Sequence, residues 1–181
     1  MAQAMNTNPS GTSFAVCFQQ DLYLLRVVGP GICRESGRFE NLLLDVEARK
    51  PARVVIDLSE CPRMDSTFAG AFLRLADRAV AGHFQVYVAG ARNQVPELLD
   101  TLCVTDVVQS IPLPDAEALQ ALKVEDRDLS KEQVMALSLD GHERLAALNE
   151  ANAKKFGPLL AVLRDQLPAA AAGSSAFPGC P

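Results

Sequence analysis

Residues 53–58, Arg-Val-Val-Ile-Asp-Leu, constrain the fold more than any other stretch of the chain. Their apolar positions form a block instead of alternating with polar ones, as in a strand buried on both faces, which needs other elements packed above and below it. A short loop follows, and then Phe68, Ala71, Phe72, Leu75, Ala76 and Ala79 recur at helical spacing until Gly82. Strand, loop and amphipathic helix in that order form half of a unit in which helices cover a sheet.

The rest of the chain extends this pattern. Residues 14–18 and 22–28 are short apolar runs around Gln19-Gln20-Asp21, which predicts a hairpin, and Gly29-Pro30-Gly31 then breaks the chain. Phe39, Leu42, Leu43 and Val46 predict a helix ended by Pro51, and residues 84–89 predict the next strand. Val95, Leu98, Leu99 and Leu102 predict a short helix, residues 107–111 a last strand, and residues 116–122 a terminal helix. The expected fold is α/β, with a mixed, mostly parallel sheet, helices packed against it and a C-terminal helical extension. The core domain spans residues 14–124.

Residues 1–13 and 168–181 contain no Asp, Glu, Lys or Arg and read as disordered tails. Residues 125–167 read as the extension, a helical hairpin or long helix either outside the core or packed back on its own domain, because Val134, Leu137, Leu145, Leu148, Leu159 and Leu163 follow a seam of about 3.5 residues. Gly157-Pro158 should kink or divide it.

Composition excludes several functions. The chain has 181 residues, 49% hydrophobic and 22% charged, enough apolar surface for a packed core. Seventeen Lys and Arg against 22 Asp and Glu give a net charge of −5, so no basic face is expected to hold nucleic acid. No apolar run approaches the roughly 20 residues of a transmembrane helix. The N-terminus lacks the basic start and apolar block of a secretory signal, so the expected location is cytoplasmic. Cys17, Cys33, Cys61, Cys103 and Cys180 form no Cys-x-x-Cys pair and are expected to be reduced thiols, with no metal and no cofactor.

Function centres on the loop into the second core helix, Met64-Asp65-Ser66-Thr67-Phe68-Ala69-Gly70. Asp65 or Ser66 can cap that helix. A phosphate on a serine at this end would meet free backbone N–H groups and the positive helix pole, and would add about −1.5 to −2 charge. A partner docking over the helix end would then be repelled without unfolding of the chain.

Val-Val-Ile-Asp-Leu, then Met-Asp-Ser-Thr-x-x-Gly, an amphipathic helix and the strand Phe-Gln-Val-Tyr-Val-Ala together resemble the STAS domain of bacterial anti-sigma factor antagonists. The resemblance covers residues 14–124. It implies a non-enzymatic regulator whose serine after the motif aspartate, here Ser66, is phosphorylated by a cognate anti-sigma factor that is also a serine kinase of the histidine-kinase-like ATPase type. It places Asp65, Ser66, Thr67 and Phe68 at the partner face. Phe68 stands where the family has glycine, and it also begins the apolar stripe, so a core role competes for it. A phosphatase and homo-oligomerisation through the C-terminal helix are secondary partner expectations. The alternative is a STAS scaffold or dimerisation module without a phosphoswitch.

Competing chemistries fit poorly. A phospho-accepting receiver needs an acidic pair for Mg²⁺ after its first strand, where only Asp21 is available, and a late lysine that is missing between Lys50 and Lys123. Asp57 then reads as a strand-end residue bonding loop amides. Cys33 to Arg38 encloses one residue too few for a cysteine phosphatase loop. A serine hydrolase needs a general base, whereas His83 and His142 both read as solvated surface residues. There is no nucleotide-binding Gly-x-x-x-x-Gly-Lys-[Ser/Thr] loop.

Overall fold

The computed structural model describes residues 11–114, 120–121 and 129–167. Strands β1 (Ser13–Gln19) and β2 (Leu22–Val28) form the expected antiparallel hairpin, with Gln19 opposite Leu22. A 3₁₀ turn at Cys33–Glu35 leads into α1 (Ser36–Arg49). Then come β3 (Arg53–Glu60), α2 (Ser66–Gly82), β4 (Gln85–Ala89), α3 (Val95–Thr101), β5 (Gln109–Ile111) and the two-residue β6 (Gln120–Ala121). Helices α4 (Lys131–Leu148) and α5 (Glu150–Gln166) follow and are the last elements among the described residues. The sheet order is β5-β4-β3-β2-β1-β6, parallel from β2 to β5 and antiparallel on either side of β1. The expected mixed sheet is therefore present.

β3 lies at the centre of the parallel part, and Val54, Val55, Ile56 and Leu58 are all buried, as its unbroken apolar block requires. Its Asp57 is buried as well. Arg26 Nε donates to Asp57 Oδ2 at 2.5 Å and the Ser59 amide donates to Oδ1 at 2.9 Å, so the carboxylate is satisfied by a cation and a loop amide. On the helical face, Phe39 of α1 stacks edge-on against Phe68 of α2 at 5.2 Å. Gly31 lies so close that a Cβ there would come within 2.7 Å of the Phe68 ring. Glycine is what lets the loop after β2 close over the start of α2.

Several expectations are corrected. Residues 120–121 pair antiparallel with Val16 and Ala15, so the terminal helix expected at 116–122 is not continuous there; residues 116–119 and 122 lie outside the described residues. β5 begins at Gln109 instead of Val107, because the chain first makes a 3₁₀ turn at Val104–Asp106. Thr12, assigned to a tail, is buried with Oγ1 donating to the Pro30 carbonyl at 2.9 Å; the remaining tail residues, apart from Gly11 and Ser13, lie outside the described residues.

The extension takes the packed-back alternative. It is a hairpin, as one reading had it, but not outside the core: Leu139, Leu145, Phe156, Leu160, Leu163 and Leu167 share one buried cluster with Phe39 and Phe72. The turn falls at Asn149, which ends α4 in an extended conformation and caps α5 by accepting the Asn152 amide at 2.8 Å. α5 is not divided at Gly157 and Pro158. Pro158 and Lys154, whose carbonyl the missing N–H would have served, both lie on the water-facing side, where solvent replaces the lost bond. Among the described residues no helix is long and apolar enough to cross a membrane.

Candidate functional site

The site is built where β3 hands over to α2. Asp65 is the helix N-cap: its Oδ1 accepts the Phe68 amide at 2.9 Å and its Oδ2 accepts the Cys33 amide at 2.7 Å. The Asp65 amide in turn donates to the Gly31 carbonyl at 2.9 Å. One short polar side chain thus fixes the helix start and ties it to the loop after β2. Burial, with the Asp65 charge beside it, pushes the Cys33 thiol above its ordinary pKa.

Ser66 therefore sits on the first turn of α2, half-buried. Its Oγ lies 2.9 Å from His142 Nε2 on α4. His142 Nδ1 is 2.7 Å from the Ser138 carbonyl, and since a carbonyl can only accept, Nδ1 carries the proton. In the neutral ring Nε2 is then the acceptor and the Ser66 hydroxyl donates. One residue on, Thr67 Oγ1 is 3.3 Å from Ser138 Oγ. Ser66, Thr67, Ser138 and His142 form one network joining two helices.

The backbones themselves meet beside it. A Cβ on Gly70 would lie 2.7 Å from Gly141 Cα and 2.8 Å from its carbonyl oxygen. Helices that close need glycine at the crossing, because any side chain would force them apart. A second link is ionic. Arg74 of α2 bridges Glu40 of α1 and Asp140 of α4, the latter at 3.0 Å. Arg144 of α4 pairs with both Asp140 and Asp77. Glu40 and Arg74 are buried and compensate each other, and Arg78 meets the second Glu40 oxygen at 3.1 Å.

The residues assigned from the sequence therefore fare differently. Asp65, Ser66 and Thr67 are adjacent on the first turn and its cap, but Asp65 has both carboxylate oxygens committed to backbone amides and Thr67 is 6% exposed. Phe68 is fully buried among Phe39 and Phe72, which removes it from any partner face: its core role prevails. His83 is exposed, as expected. His142 is not a solvated residue; it is 2% exposed and its ring lies 5.0 Å from that of Phe156. The ground on which serine hydrolase chemistry was set aside, the absence of a base near Ser66, therefore falls.

Sequence reasoning missed Ser138, Gly141 and His142. A signal was present: Ser138, His142 and Leu145 are spaced four and three residues apart on one helix, and Leu137, Gly141 and Leu145 run along the adjoining stripe. A residue between two buried positions on a helix face shares their environment.

The family model described as STAS domain matches residues 13–118, ending before α4 begins. Among solved structures, the NMR structure of the protein TM1081 is 13% identical with a TM-score of 0.50, over 62% of this chain and 90% of that one. A sulfate transporter family protein from Wolinella succinogenes is 14% identical with a TM-score of 0.45, over 50% of this chain and 73% of that one. The anti-sigma factor antagonist SpoIIAA in its unphosphorylated form is 8% identical with a TM-score of 0.45, over 57% of this chain and 90% of that one. No curated protein matches the chain significantly.

Proposed function

The chain belongs to the STAS domain family, and from that premise we propose that it is a protein-binding regulator of the anti-sigma factor antagonist kind, switched by phosphorylation of Ser66. The observation that carries the reading is the placement of Ser66 on the first turn of an Asp65-capped helix, half-exposed where β3 gives way to α2. The cap is made by Asp65, not by Ser66, so modification of the hydroxyl leaves the helix start intact. The partner is an anti-sigma factor with serine kinase activity of the histidine-kinase-like ATPase type. In the transfer, a bond forms between Ser66 Oγ and the γ-phosphorus of ATP, the bond to ADP breaks, and the hydroxyl proton passes to a base on the kinase.

The same reading assigns no catalysis to the chain and places it in the cytoplasm. In this reading His142 is a structural acceptor for the Ser66 hydroxyl and not a general base. A phosphoserine at the contact would lower affinity by 100-fold or more, about 2.8 kcal/mol. The test is to incubate the purified chain with extract of its own cells and ATP, then map the peptide spanning Met64 to Arg74 by mass spectrometry. Phosphate on Ser66, and capture of a kinase by Ser66→Ala but not by the phosphoserine form, is the expected outcome. An unmodified Ser66, with Ser66→Asp still capturing the same partner, overturns the reading.

One observation favours a second reading. The bond from Ser66 to His142 gives the hydroxyl a structural task, tethering α4, which suits a STAS scaffold module without a phosphoswitch.

A further inference from the structure

The first two turns of α2 are covered by α4. Ser66 faces His142, Thr67 faces Ser138 and Gly70 touches Gly141, so three successive features of α2 are each met by α4. Resting on the Ser66 reading above, we propose that α4 is a built-in competitor for the kinase: a partner engages the whole of this face, from Ser66 to Gly70, only by taking the place of α4, and phosphate on Ser66 excludes α4 as it excludes the partner.

The chemistry of the occupant defines what can replace it. At the Gly70 crossing the incoming element must carry a residue with little or no side chain, as Gly141 does. The next residue must offer a hydrogen-bond acceptor to Ser66, as His142 Nε2 does, and a hydroxyl three residues before the small one must meet Thr67, as Ser138 does. The partner is accordingly a helix bearing a hydroxyl, a small residue and an acceptor at the spacing of Ser138, Gly141 and His142. An imidazole or a carboxylate fills the acceptor role.

Phosphorylation breaks this fit at its polar centre. The Ser66 hydroxyl loses the proton that Nε2 accepts, and a tetrahedral dianion must be placed at an oxygen that now has the imidazole 2.9 Å away. That gap holds a hydrogen bond and has no room for a phosphoryl group. The covalent state of one hydroxyl thus sets whether the α4–α5 hairpin is seated.

The test reads the seating of α4 directly, with kinase capture as its second readout. Full-length chain carrying phosphoserine at position 66, installed during translation, is compared with the unmodified chain and with His142→Ala by amide hydrogen exchange. Phosphoserine is expected to speed exchange in α4 at least tenfold while the amides of β2, β3 and β4 keep their rates. His142→Ala, which removes the side chain facing the phosphate, is expected to reduce the further effect of phosphoserine. Unchanged exchange in α4, or a rise shared equally by the strands, overturns the proposal. Loss of kinase capture on phosphorylation without loosening of α4 overturns the competitor alone. A loosened α4 with kinase capture unchanged overturns the switch alone.

Discussion

The sheet with α1 and α2, and the α4–α5 hairpin, differ in how they are specified yet share one interior. The first, apart from β6, lies within the span matched by the STAS family model; the second follows it. In the first, apolar blocks and stripes determine position: β3 is buried because four of its side chains demand it. In the second, polar and small residues determine where the helix seats, through Ser138, Asp140, Gly141, His142 and Arg144. Apolar area drives the hairpin inward, while this set fixes its register. A segment added to a domain becomes part of it when its apolar face and its polar register agree.

If the two regions form one cooperative unit, damage at their seam must destabilise both. The largest effect is expected from Arg74→Ala, which breaks the buried pair with Glu40, leaves that carboxylate with Arg78 alone and cuts the tie to Asp140; a loss of about 3–5 kcal/mol should appear in urea unfolding as one shifted transition. Two transitions would mean that the hairpin melts alone. Leu145→Ala, at a fully buried α4 position in the shared cluster, should cost about 2–5 kcal/mol by the same measurement. A value near zero would detach α4 from the core. Gly70→Ala should cost about 1–3 kcal/mol, since its Cβ meets backbone that can yield only by moving α4, and the melting temperature should fall accordingly. Smallest is Arg164→Ala, which breaks an exposed pair with Glu143 between α5 and α4 and should change stability by no more than about 0.5 kcal/mol. A larger loss there would place the hairpin's strength in its own surface and not in the seam.

These effects track what could be read from the chain. The order of elements from β1 to α3 and the start of α2 were legible because local signals carry them: apolar periodicity, the Asp65 cap, and the glycines around Pro30. β6 was not legible. Residues around Gln120 and Ala121 are helix-compatible in isolation, and the strand exists only through pairing with Ala15 and Val16 far away in sequence. Pro158 misled because its penalty depends on which side of a helix it occupies, a fact set by packing. The candidate site was half legible. Asp65 and Ser66 declare themselves in one short motif, whereas His142 becomes their neighbour only once α4 is seated.

That last contact spans 76 residues of chain. A ribosome adding about 5–20 residues each second needs about 4–15 s to cover that distance. During every round of synthesis, then, the Ser66 hydroxyl waits for seconds before the imidazole that will accept its proton has been made, and the newborn molecule passes through an interval when the first turn of α2 has no cover of its own.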